Sequence, residues 1–126
     1  MGSNLLTDIA STALAKTLDA SADRQRAIAN NIANIETPGY KRRYVAFEDE
    51  LRRVMDERTG DDLDKGLNEL TPVSQTDVFS PAREDGNNVN IDAEIADMAK
   101  NTIKYRAAVT LWEAKAAVLR SAIEGK

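Results

Sequence analysis

Hydrophobic positions recur at helical spacing in the N-terminal third of the chain. From Leu14 onward, apolar positions alternate steps of four and three, which is typical of the seam of a coiled-coil-like helix. The large apolar residues of this first seam are Leu14, Leu18, Ile28, Ile32 and Ile35. The pattern predicts one helix over about residues 5–36, with Asn4 as its N-cap.

The C-terminal third repeats this pattern over a longer stretch. Between Ile91 and Ile123 the seam positions again alternate steps of four and three, and only Thr102 among them is polar. The large apolar residues of this second seam are Ile91, Ile95, Met98, Tyr105, Val109, Trp112, Leu119 and Ile123. Asn90 suits an N-cap and Gly125 falls where a helix would end, so the pattern predicts a second helix over about residues 91–124.

Residues 41–89 lack this periodicity and are rich in turn-forming residues. We predict one short helix over about residues 47–58, followed by loop, short extended pieces and partial disorder. The chain then divides into an N-terminal helix and turn (1–40), an irregular middle segment (41–89) and a C-terminal helix (90–126). The predicted fold is all-α, with the two long helices packed as an antiparallel coiled-coil-like pair.

The first predicted helix ends in a group of amides and a sharp turn. Thr37 precedes a proline and is therefore biased out of the helical region, while Pro38-Gly39 suits a turn with a positive φ at the glycine. The nearby asparagines have two interpretations. They bond to solvent or local backbone, which the spacing alone slightly favours, or they pair with neighbouring chains and fix the register between them.

Composition narrows the chemistry that the chain can perform. The 126 residues are 42% hydrophobic and 30% charged, as expected for one ordinary domain. The absence of histidine and cysteine excludes disulfides, thiolate nucleophiles, imidazole catalysis and the usual zinc sites. The net charge of -4 argues weakly against nucleic-acid binding. No apolar run is long enough to span a bilayer, and the N-terminus does not resemble a cleaved secretory signal.

Each candidate metal, catalytic or ligand site in the sequence is better interpreted as solvated surface or core packing. An EF-hand loop that starts at Asp62 would place Val73 where the ligand glutamate is required, so the acidic run at 61–64 is interpreted as a solvated turn. Residues 48–50 are interpreted as a solvated helix start. Core packing is favoured over a ligand role for Tyr105 and Trp112. We therefore expect no enzyme activity, no cofactor, no metal, no nucleic acid and no small-molecule substrate.

The opening stretch carries a resemblance to a known family. Residues 29–40, ANNIANIETPGY, resemble the N-terminal signature of bacterial flagellar rod, hook and hook-associated proteins, A-N-N-[IL]-A-N-x-x-T-P-G-[FY]. Residues 47–55 and 85–123 are similar to proximal rod proteins of the flagellar basal body, whereas residues 59–84 match poorly. The resemblance implies an assembly motif made of Asn30, Asn31, Ile32, Ala33, Asn34, Thr37, Pro38, Gly39 and Tyr40.

The resemblance implies a structural subunit of the proximal rod that assembles through its terminal helices. It implies export through the flagellar type III apparatus without a cleaved signal peptide, and a location in the rod within the periplasmic space. The implied partners are other copies of the chain, FlgC-like rod proteins, the basal-body adaptor FliE and the flagellar type III export gate. The alternatives are another rod protein, such as FlgC, or a soluble helical adaptor, which would be monomeric and compact.

Overall fold

A computed structural model describes the backbone of residues 2–125 and the side chains of residues 8–125. Residues 1 and 126, which belong to the predicted N-terminal and C-terminal segments, lie outside the described range. Within that range the chain is mostly helical and contains one small sheet. The elements are α1 (Gly2–Ala33), β1 (Arg43–Ala46), α2 (Glu48–Glu57), α3 (Gly60–Glu69), β2 (Val73–Thr76) and α4 (Ile91–Glu124). Within the described backbone, no helix is both long and apolar enough to cross a membrane.

Helix α1 differs from its predicted range at both ends. It begins at Gly2, so Asn4 lies inside the helix and is not its N-cap, and it ends at Ala33 rather than at residue 36. Past Ala33 the backbone tightens, because the N–H of Ile35 and the N–H of Thr37 each bond to the carbonyl three residues back. The following proline has no N–H with which to continue the helix.

Helix α4 has the predicted bounds and the predicted end residues. Asn90 is extended, and its Oδ1 accepts a hydrogen bond of 3.1 Å from the N–H of Ala93. Gly125 follows the helix in the left-handed conformation, with a φ of 70°. Such a residue ends a helix at little cost when it is glycine, because no Cβ meets the backbone.

Helices α1 and α4 pack antiparallel along their length. Hydrogen bonds join Asn31 to Glu94 near one end, Asn101 to the carbonyl of Ser21 in the middle, and Lys115 to the side chain of Ser11 towards the other end. The antiparallel arrangement agrees with the prediction, but the pairing is not a simple hydrophobic seam, because polar groups make these cross-helix contacts.

The buried residues of α4 lie one position away from the predicted seam. They are Glu94, Asn101 and Ala108, spaced seven residues apart. The two polar residues find partners on α1, and the small alanine permits close approach of the helices. Of the predicted seam, only Met98 and Val109 are half-buried, together with the polar Thr102. Most of the predicted apolar stripe therefore faces away from α1.

The middle segment is more ordered than the sequence predicts. Helix α2 agrees with the predicted short helix and β2 with the predicted short extended pieces, but α3 occupies a region expected to be loop and partly disordered. Strands β1 and β2 pair antiparallel, with Arg43 opposite Thr76 and Ala46 opposite Val73. The all-α prediction is therefore corrected to a mostly helical fold with a two-stranded sheet. All residues of β2 are exposed, so the strand has no alternating burial pattern.

The hydrophobic core lies between α1 and the middle segment. It consists of Ala20, Ala27, Val45, Phe47, Val54, Leu67 and Leu70. The alanines of α1 give the larger side chains room, and Leu67 of α3 is completely buried. Burying one such large side chain contributes about 1.5–3 kcal/mol. The core thus fixes the middle segment on one side of α1, while α4 covers another.

Candidate functional site

The turn that follows α1 has the conformation predicted from its sequence. Gly39 has a φ of 76°, and the N–H of Tyr40 donates to the carbonyl of Thr37 over 3.3 Å. The N–H of Gly39 also donates to the carbonyl of Asp85 over 2.8 Å. A Cβ at Gly86 would lie 3.3 Å from the Cα of Gly39. Two glycines therefore let the turn lie closely against the segment that leads into α4.

Asn31 is the centre of this region. Its side chain is completely buried and uses its full hydrogen-bonding capacity. Nδ2 donates to the carbonyl of Arg43 over 2.8 Å and to Oε2 of Glu94 over 3.0 Å. Oδ1 accepts from the N–H of Arg43 over 2.8 Å and from the hydroxyl of Tyr40 over 3.0 Å. One amide thus joins α1, β1, α4 and the turn.

The carboxylate of Glu94 is also held by Arg42. Arg42 donates from Nε to Oε1 of Glu94 over 2.9 Å and from Nη1 to Oδ2 of Asp77 over 3.0 Å. Its guanidinium carbon lies 5.5 Å from the ring centroid of Tyr44. Burial lowers the pKa of Arg42, but the hydrogen bonds from its side chain to Glu94 and Asp77 outweigh burial and raise it. The guanidinium therefore stays charged between two carboxylates.

Asp77 organises the loop that follows β2. Its carboxylate accepts from the hydroxyl of Ser80 over 2.6 Å and from the N–H groups of Phe79 and Ser80, each over 3.0 Å. These bonds, led by the one from the Ser80 hydroxyl and joined by the bond from Arg42, hold the pKa of Asp77 far below its usual range, against the effect of burial. The loop is consequently tied to Arg42 and, through it, to α4.

Asn87 caps the C-terminal end of α1. Its Nδ2 lies 2.9 Å from the carbonyl oxygen of Asn34, 3.1 Å from that of Ile35 and 2.9 Å from that of Thr37. These carbonyls lie just past the end of α1. The carbonyl of Asn34 also accepts from the N–H of Thr37, and that of Ile35 also accepts from Arg83, so Asn87 adds a further bond that holds the turn against the segment before α4. Asn87 is itself completely buried.

Asn88 joins the same region to the sheet. Its Oδ1 accepts from the N–H of Arg42 over 2.7 Å, and its Nδ2 donates to the carbonyl of Asp77 over 2.7 Å. The sequence prediction included none of Asn87, Asn88, Arg42 and Glu94 among its site residues. The sequence feature that could have indicated Asn87 and Asn88 is the run of asparagines just before α4, because buried amides need hydrogen-bond partners. We call Asn31, Arg42, Asn87, Asn88 and Glu94 the asparagine junction.

The predicted assembly motif falls into buried and exposed parts. Asn34 bonds locally: its Nδ2 donates to the carbonyl of Asn30 over 2.8 Å, and its Oδ1 accepts from the hydroxyl of Thr37 over 3.1 Å. Ile32 is half-buried, whereas Asn30, Ala33 and Pro38 are exposed. The local interpretation of the amides thus describes Asn34. It does not describe Asn31, whose partners are distant parts of its own chain.

The predicted seam residues also divide between buried and exposed positions. On α1, Ile28 is buried, and Leu14, Leu18, Ile32 and Ile35 are half-buried. On α4, most seam residues have exposed fractions between 38% and 86%. We call these exposed residues the α4 stripe: Ile91, Ile95, Tyr105, Trp112, Leu119 and Ile123. An apolar stripe of this length, left uncovered on a single chain, marks a surface for other proteins.

The site offers no evident catalytic arrangement. Among the described residues, no group of three or more acidic side chains is placed to hold a metal ion. A cavity of about 210 Å³ lies between β1 and α4, and it is lined by Arg24, Lys100, Lys104 and Asn101 among others. The Oδ1 of Asn101 is the one buried side-chain polar atom of the described residues without a hydrogen-bond partner.

Comparison with known protein families identifies a match over the N-terminal third of the chain. A family model described as flagella basal body rod protein matches residues 9–41, a range that covers most of α1 and the turn up to Lys41. This range includes Asn31, Gly39 and Tyr40, which lie at the asparagine junction or beside it.

Whole-chain relatives extend this similarity to both long helices. The chain is 38% identical to the flagellar basal body rod protein FlgB of Borrelia hermsii over 102 aligned positions, and the match covers 70% of this chain and 76% of that protein. It is 33% identical to FlgB of Bacillus subtilis, covering 81% of this chain and 83% of the relative. It is 32% identical to FlgB of Salmonella typhimurium, covering 86% and 88% respectively.

Proposed function

The chain belongs to the flagellar basal-body rod protein family, and on this premise we propose that it is an FlgB-type subunit of the proximal rod, assembled through its terminal helices. Members of this family are structural subunits of the flagellar basal body and not enzymes, and this chain is accordingly a structural protein. Family membership also supports assembly with other rod proteins.

The α4 stripe is the observation that carries this proposal. Trp112 is 41% exposed, Leu119 47% and Ile123 86%, so the chain leaves its longest apolar surface uncovered. Moving a large apolar side chain from full exposure to full burial contributes about 1.5–3 kcal/mol, so covering the exposed part of each of these side chains gains a share of that amount. A rod places every subunit among neighbours, which supply that cover. The stripe is thus the surface expected of a subunit whose second helix packs against adjacent chains.

The finer assignment follows from the family. The proposed neighbours are other copies of the chain, FlgC-like rod proteins and the basal-body adaptor FliE. The proposed route is the flagellar type III export gate, with no cleaved signal peptide, and the proposed location is the rod within the periplasmic space. The exposed residues of the assembly motif and the α4 stripe are the proposed contact surfaces between subunits, whereas Asn31 and the seam residues of α1 serve inside the chain.

Complementation tests this function. The chain is expressed in its own bacterium after deletion of the chromosomal copy, and rods in isolated basal bodies are counted by electron microscopy alongside swimming. We expect the unsubstituted chain to restore rods and motility. The double variant Trp112→Ser, Leu119→Ser should not, although its cellular level stays normal. Arg120→Ser, an exposed change on the same helix but off the stripe, is the matched control.

Two results would contradict the proposal. One is normal motility after deletion of the chromosomal copy without any replacement. The other is a basal body that contains rods while an epitope on this chain is found only in the cytoplasm, which would favour a soluble adaptor.

A further inference from the structure

The two outer edges of the small sheet differ in whether their backbone groups are paired. On β1, the amide of Asn31 accepts from the N–H of Arg43 and donates to its carbonyl, each over 2.8 Å. Nη2 of Arg24 donates to the carbonyl of Val45 over 2.9 Å. Side chains of α1 therefore cover the outer edge of β1 at both of these residues.

The outer edge of β2 has no such cover. The N–H of Asp77 donates to the carbonyl of Arg42 over 2.9 Å, which sets the phase of the antiparallel ladder. Because backbone groups alternate in direction along a strand, those of Gln75 face β1, whereas those of Ser74 and Thr76 face outward. Among the described residues, nothing bonds to these outward N–H and carbonyl groups. We call them the open edge.

The open edge lacks most of the protection that proteins give to exposed strands. Natural edges are blunted by shortness, by lysine or proline in the strand, by bulges or by a covering segment. Strand β2 is short and follows Pro72, but its sequence VSQT contains neither a charge nor a proline, and all of its residues are exposed. Such an edge accepts an extended peptide as an additional strand, because the peptide supplies the missing backbone hydrogen bonds.

Arg43 gives one face of the sheet a positive charge beside the open edge. Its side chain crosses β2, since Nε donates to Oγ of Ser74 over 3.1 Å and Nη1 to Oγ1 of Thr76 over 3.4 Å. Arg43 is exposed and makes no ion pair among the described side chains. Residues paired across two strands share a face, so a residue opposite Ser74 or Thr76 on an added strand would lie beside this guanidinium.

The other face of the sheet borders a groove with an excess of carboxylates. The groove has a volume of about 670 Å³, lies between α2, α3 and the sheet, and is lined by Val73 and Gln75 of β2. Asp49 and Glu69 in its lining are exposed and make no ion pair among the described residues, whereas both arginines of the lining already have carboxylate partners. A basic side chain with an apolar stem suits this surface.

We propose that the open edge binds an extended peptide segment of a partner protein as a third strand of the sheet. The segment carries an acidic side chain beside Arg43 and, at a neighbouring position that points to the opposite face, a basic side chain at the groove. Backbone hydrogen bonds supply the affinity, and the two charges supply the specificity. The site goes beyond the proposed function, because it follows from the sheet alone and lies apart from the α4 stripe.

A synthetic peptide tests this site on the purified, full-length chain. The probe is a capped, fluorescently labelled peptide with the sequence threonine-valine-glutamate-lysine-threonine-valine, in which the two charges point to opposite faces. Binding is measured by fluorescence anisotropy, and amide hydrogen exchange is measured by NMR. The bound peptide should slow exchange of the N–H groups of Ser74 and Thr76 several-fold, while that of Gln75, which already faces β1, should change little. Control peptides with two glutamates or two lysines should bind several-fold more weakly.

The variant Thr76→Pro removes one outward N–H without removing a bond to β1, and the preceding residue keeps an extended conformation. It should weaken peptide binding several-fold. Thr76→Ala is the matched control, because it loses the same hydroxyl but retains the N–H, and it should bind like the unsubstituted chain. Arg43→Gln should weaken the binding of the probe but not that of the peptide with two lysines.

Several results would overturn the proposal. They are no binding at millimolar peptide, equal affinity for the three peptides, equal slowing of exchange at Ser74 and Gln75, or binding that Thr76→Pro leaves unchanged. If thermal unfolding shows that Thr76→Pro does not fold, the exchange pattern of the unsubstituted chain decides. These measurements do not involve rod assembly, so a failure of the proposed function in cells and a failure of the open edge are separate outcomes.

Discussion

Asn31 on α1 and Glu94 on α4 are joined by a hydrogen bond of 3.0 Å between Nδ2 and Oε2, with both side chains excluded from solvent. The remaining bonds of Asn31 go to Tyr40 and to the backbone of Arg43. The assembly motif is therefore part of the folded structure of the single chain. Its central asparagine sets how α1, the turn and α4 meet, and so how the exposed surfaces are presented.

Asn31→Ala should destabilise the isolated chain. The substitution removes all four hydrogen bonds of the Asn31 amide. The buried carboxylate of Glu94 then loses one donor, and the N–H of Arg43 loses its acceptor. We expect a loss of roughly 2–4 kcal/mol in the free energy of unfolding, measured by urea denaturation. Asn30→Ala is the matched control, because Asn30 is exposed one residue away; its effect should stay within about 0.5 kcal/mol. Similar unfolding midpoints for the two variants would contradict the role given to Asn31.

Glu94→Gln tests the charge at the same place. The substitution preserves shape but removes the charge opposite Arg42 and turns an amide donor towards groups that already donate. The Arg42 side chain is 24% exposed and can be partly hydrated, so we expect a loss of about 1–3 kcal/mol. Glu50→Gln breaks an exposed ion pair with Arg53 and should cost less than about 0.5 kcal/mol. The prediction fails if both variants unfold at the same urea concentration.

The sequence predicts the parts of this structure that depend on local rules. The ends of α4 follow from Asn90 and Gly125, and the turn follows from Pro38-Gly39. The face of α4 that meets α1 was not predictable in this way, because an apolar stripe looks the same whether its own chain or a neighbour covers it. Glu94 and Asn101 are polar, so their burial depends on partners far away in the sequence.

The middle segment shows a second limit of sequence prediction. Helix α3 spans ten residues and buries only Gly66 and Leu67, and its sequence GDDLDKGLNE contains two glycines, three aspartates and an asparagine, which are turn-forming residues and therefore favoured a loop prediction. Strand β2 is exposed throughout and owes its conformation to pairing with β1. The family resemblance includes Asn31 in the assembly motif, but the burial of Asn31 depends on Arg43 and Glu94, which only the tertiary fold brings to it.

The stability of the chain should depend on pH through Asp77. Its pKa lies well below the ordinary 3.8, chiefly because of hydrogen bonds from Ser80. A carboxyl group whose pKa is lower in the folded state stabilises the fold fully above its unfolded pKa and loses that contribution as the pH falls towards the folded value. We expect the free energy of unfolding to be steady from pH 7 to about 5 and to fall below about pH 4.

Asp77→Asn isolates this contribution from other carboxyl groups. Burial raises the pKa of Glu48, but the hydrogen bonds donated by Arg24 and by the backbone, together with the charges of Arg24 and Lys104, outweigh burial and lower it. Some acid sensitivity should therefore remain in the variant. The variant should be less stable at pH 7 and should lose less stability on acidification. Urea titrations of both proteins at a series of pH values measure this difference. Parallel curves would show that Asp77 does not carry the pH dependence.

The two glycines of the turn contact should differ in their tolerance of a side chain. Gly39 has a φ of 76° and open space around a Cβ, so Gly39→Ala should cost only the backbone strain, about 1 kcal/mol. Gly39→Val should cost of order 1–2 kcal/mol or more and should impair rod assembly by redirecting Tyr40. Gly86→Ala combines a φ of 87° with a contact of 3.3 Å to the Cα of Gly39, so it should be more destabilising than Gly39→Ala.

Thermal unfolding of the three variants gives their order, and motility with cellular protein level gives the effect on assembly. Gly86→Ala at least as stable as Gly39→Ala would show that the close approach of the two glycines is unimportant. Normal rods with Gly39→Val would show that the turn is not required for assembly.

Removal of residues 110–126 should abolish assembly while sparing the asparagine junction. The deletion takes Trp112, Leu119 and Ile123 from the α4 stripe, but Asn31, Glu94 and the buried core all precede it. In the purified, truncated chain, the N–H of Arg43 should therefore remain protected from hydrogen exchange. Amides in the N-terminal half of α1 should exchange faster, because they lose the cover that α4 gives them.

Cells that carry only this chain should lack rods and should not swim. Rods built by the truncated chain would show that neighbours pack against another surface, and loss of protection at Arg43 would show that the end of α4 is needed for folding.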